Sequence, residues 1–152
     1  MRVLFVCLGN ICRSPLGEGV LRHLAQERGL AMEVDSCGTG AWHAGETPDR
    51  RSVAVARGRG VDISRQRARQ IVATDLEEFD HVFAMDRSNL ADIQGLATPA
   101  STARIALLLE ENASEGTLDV PDPYYGGPGG FDHVLALVWD ACEAFLDRVD
   151  PG

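Results

Sequence analysis

Residues 1–15 read MRVLFVCLGNICRSP, and this stretch decides the fold. Residues 3–6 form a short, continuous apolar run with β-branched and aromatic side chains, which is typical of a buried parallel strand. Pro15 suits the first position of a helix, where its missing N–H costs no hydrogen bond. Apolar residues then recur at helical spacing until Gly29, a plausible C-terminal stop. The opening therefore predicts a strand, a tight loop over residues 7–14 and a helix.

The rest of the chain alternates between strand-like and helix-like patterns. Further strands are predicted over residues 32–37, 80–85 and 104–109, the last of which periodicity alone does not distinguish from a helix. Further helices are predicted over 49–59, 74–78 with Thr74 as the cap, 88–93 and about 134–149. This alternation predicts an α/β three-layer sandwich around a parallel sheet, in a single domain over residues 1–152.

Composition and charge exclude several functions. The 152 residues are 45% apolar and carry a formal charge of −9, so nucleic acid and anionic membranes are poor partners. No stretch approaches the ~20 apolar residues of a membrane helix, and the opening run is too short for a signal peptide. We therefore expect a protein of the reduced cytoplasm. The four cysteines form no CxxC pair, so we expect neither metal nor cofactor.

Cys7 and Arg13 stand in a Cys-x5-Arg spacing just beyond the first strand, where α/β proteins bind ligands. A loop that curls into a helix N-terminus turns its N–H groups inward around an anion and favours a thiolate. The planar guanidinium of Arg13 matches two oxygens of a phosphoryl group, and Ser14 can donate to the sulfur. The alternative is a buried cysteine beside a solvated arginine. The supporting Gly9 and Asn10 favour a metal-free phosphoryl-transfer site.

Residues 6–15 resemble the signature loop of the low-molecular-weight protein-tyrosine phosphatases. The likeness continues in the family's order through residues 34–36, Trp42, 68–70, 85–89 and 122–125. It implies a four-stranded parallel sheet flanked by helices, and hydrolysis of phosphotyrosine and aryl phosphates through a phosphocysteine on Cys7. The implied phosphate-binding loop consists of Leu8, Gly9, Asn10, Ile11, Cys12, Arg13 and Ser14.

The resemblance makes Asp122 the general acid, which protonates the leaving oxygen and then activates water. Pro123 restricts Asp122 toward extended conformations; without the cysteine loop, a surface turn would be the preferred interpretation. Trp42, Tyr124 and Tyr125 are expected to wall a deep cleft that favours phosphotyrosine over phosphoserine. For Trp42 a place in the core is the alternative.

Three further expectations concern the surroundings of the loop. The resemblance implies that Asn10 and Ser36 hold the loop, and that Cys12 forms a disulfide with Cys7 under peroxide. Cys12 could instead be a small buried apolar residue. Gln66 stands where relatives often carry a histidine, which the resemblance implies orders the site through Asp86. The sequence does not predict how Gln66 changes the reaction rate or the rigidity of the loop. The arginines at 65, 67 and 69 either raise the local potential or form a solvated helix face.

Two rival functions follow from the same residues. A thiol-coupled arsenate reductase would need two further cysteines after the third strand, and residues 85–95 contain none. A phosphotyrosine-binding module would need neither Cys7 nor Asp122. The expected partner is a phosphotyrosine protein, and the expected assembly is a monomer or weak dimer.

Overall fold

The structure, a computed structural model, describes residues 1–115, 118–124 and 130–150. Within these residues four strands occur: β1 (Arg2–Cys7), β2 (Glu33–Gly38), β3 (His81–Ala84) and β4 (Arg104–Leu107). They form one sheet in the order β2-β1-β3-β4, and every neighbouring pair is parallel. The predicted α/β class with a four-stranded parallel sheet is therefore confirmed.

Helices cover both faces of the sheet. The described part of the chain contains α1 (Arg13–Glu27), α2 (Arg50–Arg57), α3 (Asp75–Glu78), α4 (Arg87–Leu96) and α5 (Gly130–Val149). Val3 and Phe5 point into a core shared with α1 and α5, whereas Leu4 and Val6 point into a second core with α3 and α4. Because both faces are buried, β1 reads as an unbroken apolar run.

Because β1 lies between β2 and β3, its carboxyl end is flanked by the carboxyl ends of both neighbouring strands. Cys7 is in register with Gly38 of β2, and Val6 with Ala84 of β3. The segments that leave β1, β2 and β3 therefore start side by side, as in other open parallel sheets. Any site built on residues 7–14 receives side chains from all three.

The predicted fourth strand is wrong at its end. Residues 104–109 were expected to be extended, but β4 ends at Leu107 and a 3₁₀ helix covers Leu108–Glu115. Leu107 is buried in one core, while Leu108 and Leu109 are both buried in the other. Two consecutive side chains cannot enter the same core from a strand, since strand side chains alternate between faces.

Two helix ends also differ from expectation. The first helix begins at Arg13, so Pro15 is its third residue, where an N–H would still have no intrahelical partner. The stop at Gly29 is confirmed: its φ is +69° and its N–H donates to the Gln26 carbonyl at 3.1 Å. Thr74 makes no capping bond; the Asp75 carboxylate instead accepts the Val72 N–H at 2.9 Å.

In the part of the chain that the structure describes, no helix is long and apolar enough to cross a membrane.

Candidate active site

The loop after β1 folds around the sulfur of Cys7. Asn10 has a φ of +59° and is, among the described residues, the single non-glycine residue in the left-handed region. This bend lets the Asn10 N–H donate to Cys7 Sγ at 3.3 Å. Ser14 Oγ lies 2.9 Å from the same sulfur. One backbone N–H donor and one hydroxyl group thus contact the buried sulfur.

The end of β2 braces the outer side of this loop. The Thr39 N–H donates to the Cys7 carbonyl and the Gly40 N–H to the Leu8 carbonyl, each at 2.9 Å. A Cβ at Gly38 would lie 2.7 Å from the Leu8 carbonyl oxygen, so only glycine allows this close approach. The loop is therefore fixed by backbone contacts as well as by side chains.

Asn10 and Ser36, the two predicted supports, are in contact. Asn10 Nδ2 donates to Ser14 Oγ at 2.8 Å and to Ser36 Oγ at 3.0 Å. Asn10 Oδ1 accepts the Arg69 N–H at 3.0 Å. Ser36 Oγ in turn donates to Glu18 Oε1 at 2.7 Å. A single asparagine thus ties the loop to α1, to β2 and to the chain at residue 69.

Glu18 is a buried acid that the sequence interpretation missed. Burial raises the pKa of Glu18, while hydrogen bonds from Ser36 and Arg22 oppose that effect. A signal was available, because Glu18 lies four residues after Ser14 and therefore on the same helix face. That signal does not identify Ser36 as the partner, because the contact depends on how β2 packs against α1.

Arg13 is buried and oriented by acceptors on two other segments. Its Nη1 donates to Asp86 Oδ2 at 2.6 Å and to the Val120 carbonyl at 2.9 Å. Its Nη2 lies 3.7 Å from Asp122 Oδ2. Burial disfavours the charge, but Cys7, Asp86 and Asp122 outweigh it and raise the pKa of Arg13. The guanidinium is therefore a permanent cation with one nitrogen committed to its support.

Gln66, which stands where relatives often carry a histidine, makes no hydrogen bond to Asp86 among the described residues. Its Nε2 donates to the Pro15 carbonyl at 3.1 Å, and its buried Oε1 has no partner among the described residues. Asp86 bonds directly to Arg13 and accepts the Asn89 N–H at 2.8 Å. Arg69 does not lie on a helix; it binds Asp35 and Asp75, so the solvated helix face is wrong for this residue.

Asp122 lies on the more exposed side of the site. Its side chain is 45% exposed, and its Oδ1 accepts the Tyr124 N–H at 3.1 Å. The loop that carries it is fixed at its start: the Val120 N–H donates to the Met85 carbonyl at 2.8 Å. Arg87 donates to both oxygens of Asp119, from Nη2 at 2.9 Å and from Nε at 3.2 and 3.3 Å.

The three residues predicted to carry the chemistry line one cavity of about 380 Å³. Trp42 is 72% exposed at its rim, so its alternative place in the core is wrong. Tyr124 also lines the cavity, whereas Tyr125 lies outside the described residues. His43, which the sequence analysis did not single out, also lines the cavity. The lining consists of Cys7, Leu8, Gly9, Ile11, Cys12, Arg13, Trp42, His43, Asp122 and Tyr124.

Cys12 lines the same cavity as Cys7, and both thiols are free. Burial, followed by the negative charges of Asp49, Cys7 and Asp122, raises the pKa of Cys12 to about 12. Cys12 is therefore a neutral thiol at physiological pH. Within residues 1–115, 118–124 and 130–150, no group of three or more His, Cys, Asp or Glu side chains is placed to hold a metal ion.

The fold and the cavity define a class, the α/β enzymes that handle phosphate esters on a Cys-x5-Arg loop. Within that class the chain belongs to the low molecular weight phosphotyrosine protein phosphatase family, which it matches over residues 2–151. The family consists of protein-tyrosine phosphatases, which are hydrolases.

Similar proteins cover nearly the whole chain. The low molecular weight phosphotyrosine protein phosphatase of Schizosaccharomyces pombe is 42% identical, over 98% of this chain and 97% of that protein. The Bacillus subtilis phosphatase YfkJ is 40% identical, over 97% and 94%. A crystal structure of an Entamoeba histolytica protein tyrosine phosphatase gives a TM-score of 0.93 at 36% identity, covering 100% and 98%. That of a Drosophila arginine phosphatase gives 0.94 at 37%, covering 99% and 98%.

Proposed function

We propose that this protein hydrolyses phosphotyrosine in proteins, and aryl phosphates, through a phosphocysteine intermediate. Cys7 is the nucleophile, Arg13 holds the phosphoryl oxygens and Asp122 is the general acid and base. One observation carries the proposal: all three side chains line a single cavity, and Arg13 and Asp122 approach within 3.7 Å of each other. Nucleophile, charge clamp and proton donor can therefore reach one phosphoryl group together.

In the first step the Cys7 thiolate attacks phosphorus and the bond from phosphorus to the phenolic oxygen breaks. Asp122 gives its proton to that oxygen, which leaves as a phenol. We expect the backbone N–H groups of the loop and the guanidinium of Arg13 to hold the remaining oxygens of the transition state. Because Arg13 Nη1 is fixed by Asp86 and Val120, the guanidinium needs no reorientation as charge develops.

In the second step water attacks the phosphocysteine and the bond from sulfur to phosphorus breaks. The Asp122 carboxylate takes a proton from the water, which its exposed position allows. The departing sulfur again carries negative charge. The Asn10 N–H and the Ser14 hydroxyl, the two groups next to Cys7 Sγ, stabilise it. The same contacts thus serve attack and departure.

The walls of the cavity support an aryl ester as the substrate. Leu8, Ile11 and Trp42 present apolar or aromatic surface around the opening, which suits a phenyl ring better than a charged group. A second candidate, phosphoarginine, follows from the similarity to the Drosophila arginine phosphatase. The apolar walls disfavour its guanidinium. A cytoplasmic location and a monomeric or weakly dimeric state stay predictions.

The test measures hydrolysis of para-nitrophenyl phosphate and of matched phosphotyrosine and phosphoarginine peptides, with a chelator present. We expect Cys7→Ser to abolish turnover, and Asp122→Ala to slow it by about 10²-fold or more while a phosphoenzyme can still be trapped. Cys142→Ala removes a thiol from the core and is the matched control, which should retain activity. Phosphotyrosine binding without turnover by the wild type, or an active Cys7→Ser, would contradict the proposal. Preference for phosphoarginine would reassign the substrate.

A further inference from the structure

A second groove opens beside the active-site cavity. It encloses about 660 Å³ and shares Ile11, His43 and Tyr124 with the cavity as common walls. Its other side consists of residues 46–51, which precede and begin α2, together with Ala54. Because the two spaces share walls, a peptide whose phosphotyrosine enters the cavity can place neighbouring residues in this groove.

The two carboxylates of the groove have different partners, an arginine for Asp49 and a histidine for Glu46. Arg51 donates to both oxygens of Asp49, at 3.0 and 2.9 Å, and these hydrogen bonds lower the pKa of Asp49. Glu46 Oε2 lies 3.0 Å from His43 Nδ1. Arg50 is exposed and, among the described residues, has no ion-pair partner. Among the described residues, no carboxylate forms an ion pair with Arg50, although its charge contributes to the lowered pKa of Asp49.

Arg51 and Arg50 differ in what they are free to do. The guanidinium of Arg51 lies over the ring of Phe131, 4.5 Å from its centroid, and 5.4 Å from that of Tyr124. Together with Asp49 these contacts fix Arg51 as part of the wall between groove and cavity. Arg50 has no such contact among the described residues. It can turn its guanidinium toward a group that enters the groove.

We infer that the groove binds an acidic residue close to the phosphotyrosine of the substrate, and that Arg50 supplies the complementary charge. The inference rests on the proposed function and names the class of protein substrate. An arginine fork matches a carboxylate in geometry and charge. The overall charge of −9 repels acidic peptides, so such a substrate requires a local cation next to the site.

The experiment uses two phosphotyrosine peptides that differ only in carrying Glu or Gln at the positions flanking the phosphotyrosine. The measured quantity is the ratio of kcat/KM for the acidic peptide to kcat/KM for the neutral one. Arg50→Gln should lower this ratio about three- to fivefold, the effect of one exposed ion pair. Glu46→Gln removes a negative charge from the same groove and should raise the ratio. High salt should shrink the preference of the wild type.

Arg57→Gln is the matched control. It makes the same charge change on the same helix, about 10 Å along the axis from Arg50, and does not line the groove. Its ratio should equal that of the wild type. The inference would be overturned if Arg50→Gln and Arg57→Gln gave the same ratio. This holds whether both ratios lie below that of the wild type or both equal it. Failure of the wild type to hydrolyse either peptide would instead contradict the proposed function.

Discussion

The phosphate loop (residues 7–14) and the acid loop (118–124) supply the two halves of the site and are held very differently. In the phosphate loop Asn10, Arg13 and Ser14 are at most 3% exposed, and their side chains bond to other segments. In the acid loop the Asp122 side chain is 45% exposed, and the contacts that fix the loop lie two or three residues before it. The proposed site thus combines a rigidly held phosphate loop with a more loosely held acid loop.

The proposed chemistry accounts for this difference. The phosphate loop must hold a phosphoryl group of nearly constant charge through attack, intermediate and hydrolysis, so its donors act best when they are fixed beforehand. In the proposed mechanism Asp122 gives a proton to the leaving phenolic oxygen and later takes one from water, which approaches from a different direction. Small movements of the acid loop would help Asp122 to change from proton donor to proton acceptor. We therefore expect damage to the phosphate loop to cost more than damage to the supports of the acid loop.

Asn10→Ala should have the largest effect of the variants that test this comparison. It removes three side-chain hydrogen bonds and places alanine in the left-handed region, which costs roughly 1–2 kcal/mol. With the buried partners left unsatisfied, we expect the free energy of unfolding to fall by about 2–4 kcal/mol. The value of kcat/KM should fall by about 10²-fold, since the donors around the phosphate are misplaced. Urea unfolding and hydrolysis of para-nitrophenyl phosphate measure the two quantities.

Asn10→Gly separates the two causes, because glycine adopts the positive φ without strain but makes none of the side-chain bonds. Its unfolding free energy should lie between those of the wild type and Asn10→Ala. Activity in the glycine variant should remain as low as in the alanine variant if the hydrogen bonds position the loop. Wild-type kcat/KM in both variants would mean that the phosphate loop does not depend on Asn10.

Arg87→Gln tests the acid loop and should have a smaller effect. It removes the side-chain bonds to Asp119 while the backbone N–H of residue 87 can still donate to that carboxylate. We expect kcat/KM to fall about fivefold, a fraction of the roughly 10²–10⁴ that a general acid contributes. The pair is exposed, so the free energy of unfolding should change by less than about 1 kcal/mol.

The leaving group distinguishes this positioning role from a general loss of structure. An ester of the acidic nitrophenol needs less help from a proton donor than phenyl phosphate does. Arg87→Gln should therefore reduce kcat/KM more for phenyl phosphate than for para-nitrophenyl phosphate. An equal reduction for both esters would contradict a role through Asp122. Arg148→Gln, which breaks an exposed pair with Glu111 away from the site, is the matched control.

The two loops also differ in how much of them the sequence predicts. Cys7, Arg13 and Ser14 are neighbours in sequence, and one strand-to-helix turn brings them together, so local pattern is sufficient. The α/β class follows in the same way from alternating periodicities. The contact between Asp86 and Arg13 joins residues 73 positions apart, so no local sequence pattern predicts it. The same holds for Glu18 beneath Ser36.

Errors in the sequence interpretation have the same origin. The pattern at 104–109 was apolar throughout, and only the placement of the two cores shows why the strand ends at Leu107. Arg69 looked like a surface charge because its partners Asp35 and Asp75 come from β2 and α3. His43 carried no motif and became part of the cavity only through the position of the loop before α2. Long-range packing, rather than local propensity, decides each of these cases.

The smallest expected effect is a difference in pH dependence between the surroundings of the two loops. Burial raises the pKa of Glu18 beneath the phosphate loop, whereas hydrogen bonds from Arg87 lower the pKa of Asp119 in the acid loop. Because the pKa of Glu18 is raised in the folded state, Glu18 contributes fully to the free energy of unfolding below its unfolded pKa of 4.5. This contribution is lost as the pH rises through the folded pKa. The pKa of Asp119 is lowered in the folded state, so its contribution to the free energy of unfolding is present above the unfolded pKa of 3.8. It is lost as the pH falls through the lower folded pKa.

Urea unfolding of the wild type, Glu18→Gln and Asp119→Asn across this pH range measures both contributions. The unfolding free energy of the wild type minus that of Glu18→Gln should decrease as pH rises from 4.5 toward neutrality. The same difference for Asp119→Asn should decrease as pH falls below 3.8. Opposite slopes would show that the phosphate loop rests on a buried acid that prefers to be neutral, while the acid loop is fixed by an exposed ion pair. Parallel slopes would contradict this assignment, because both acids would then respond to net charge alone.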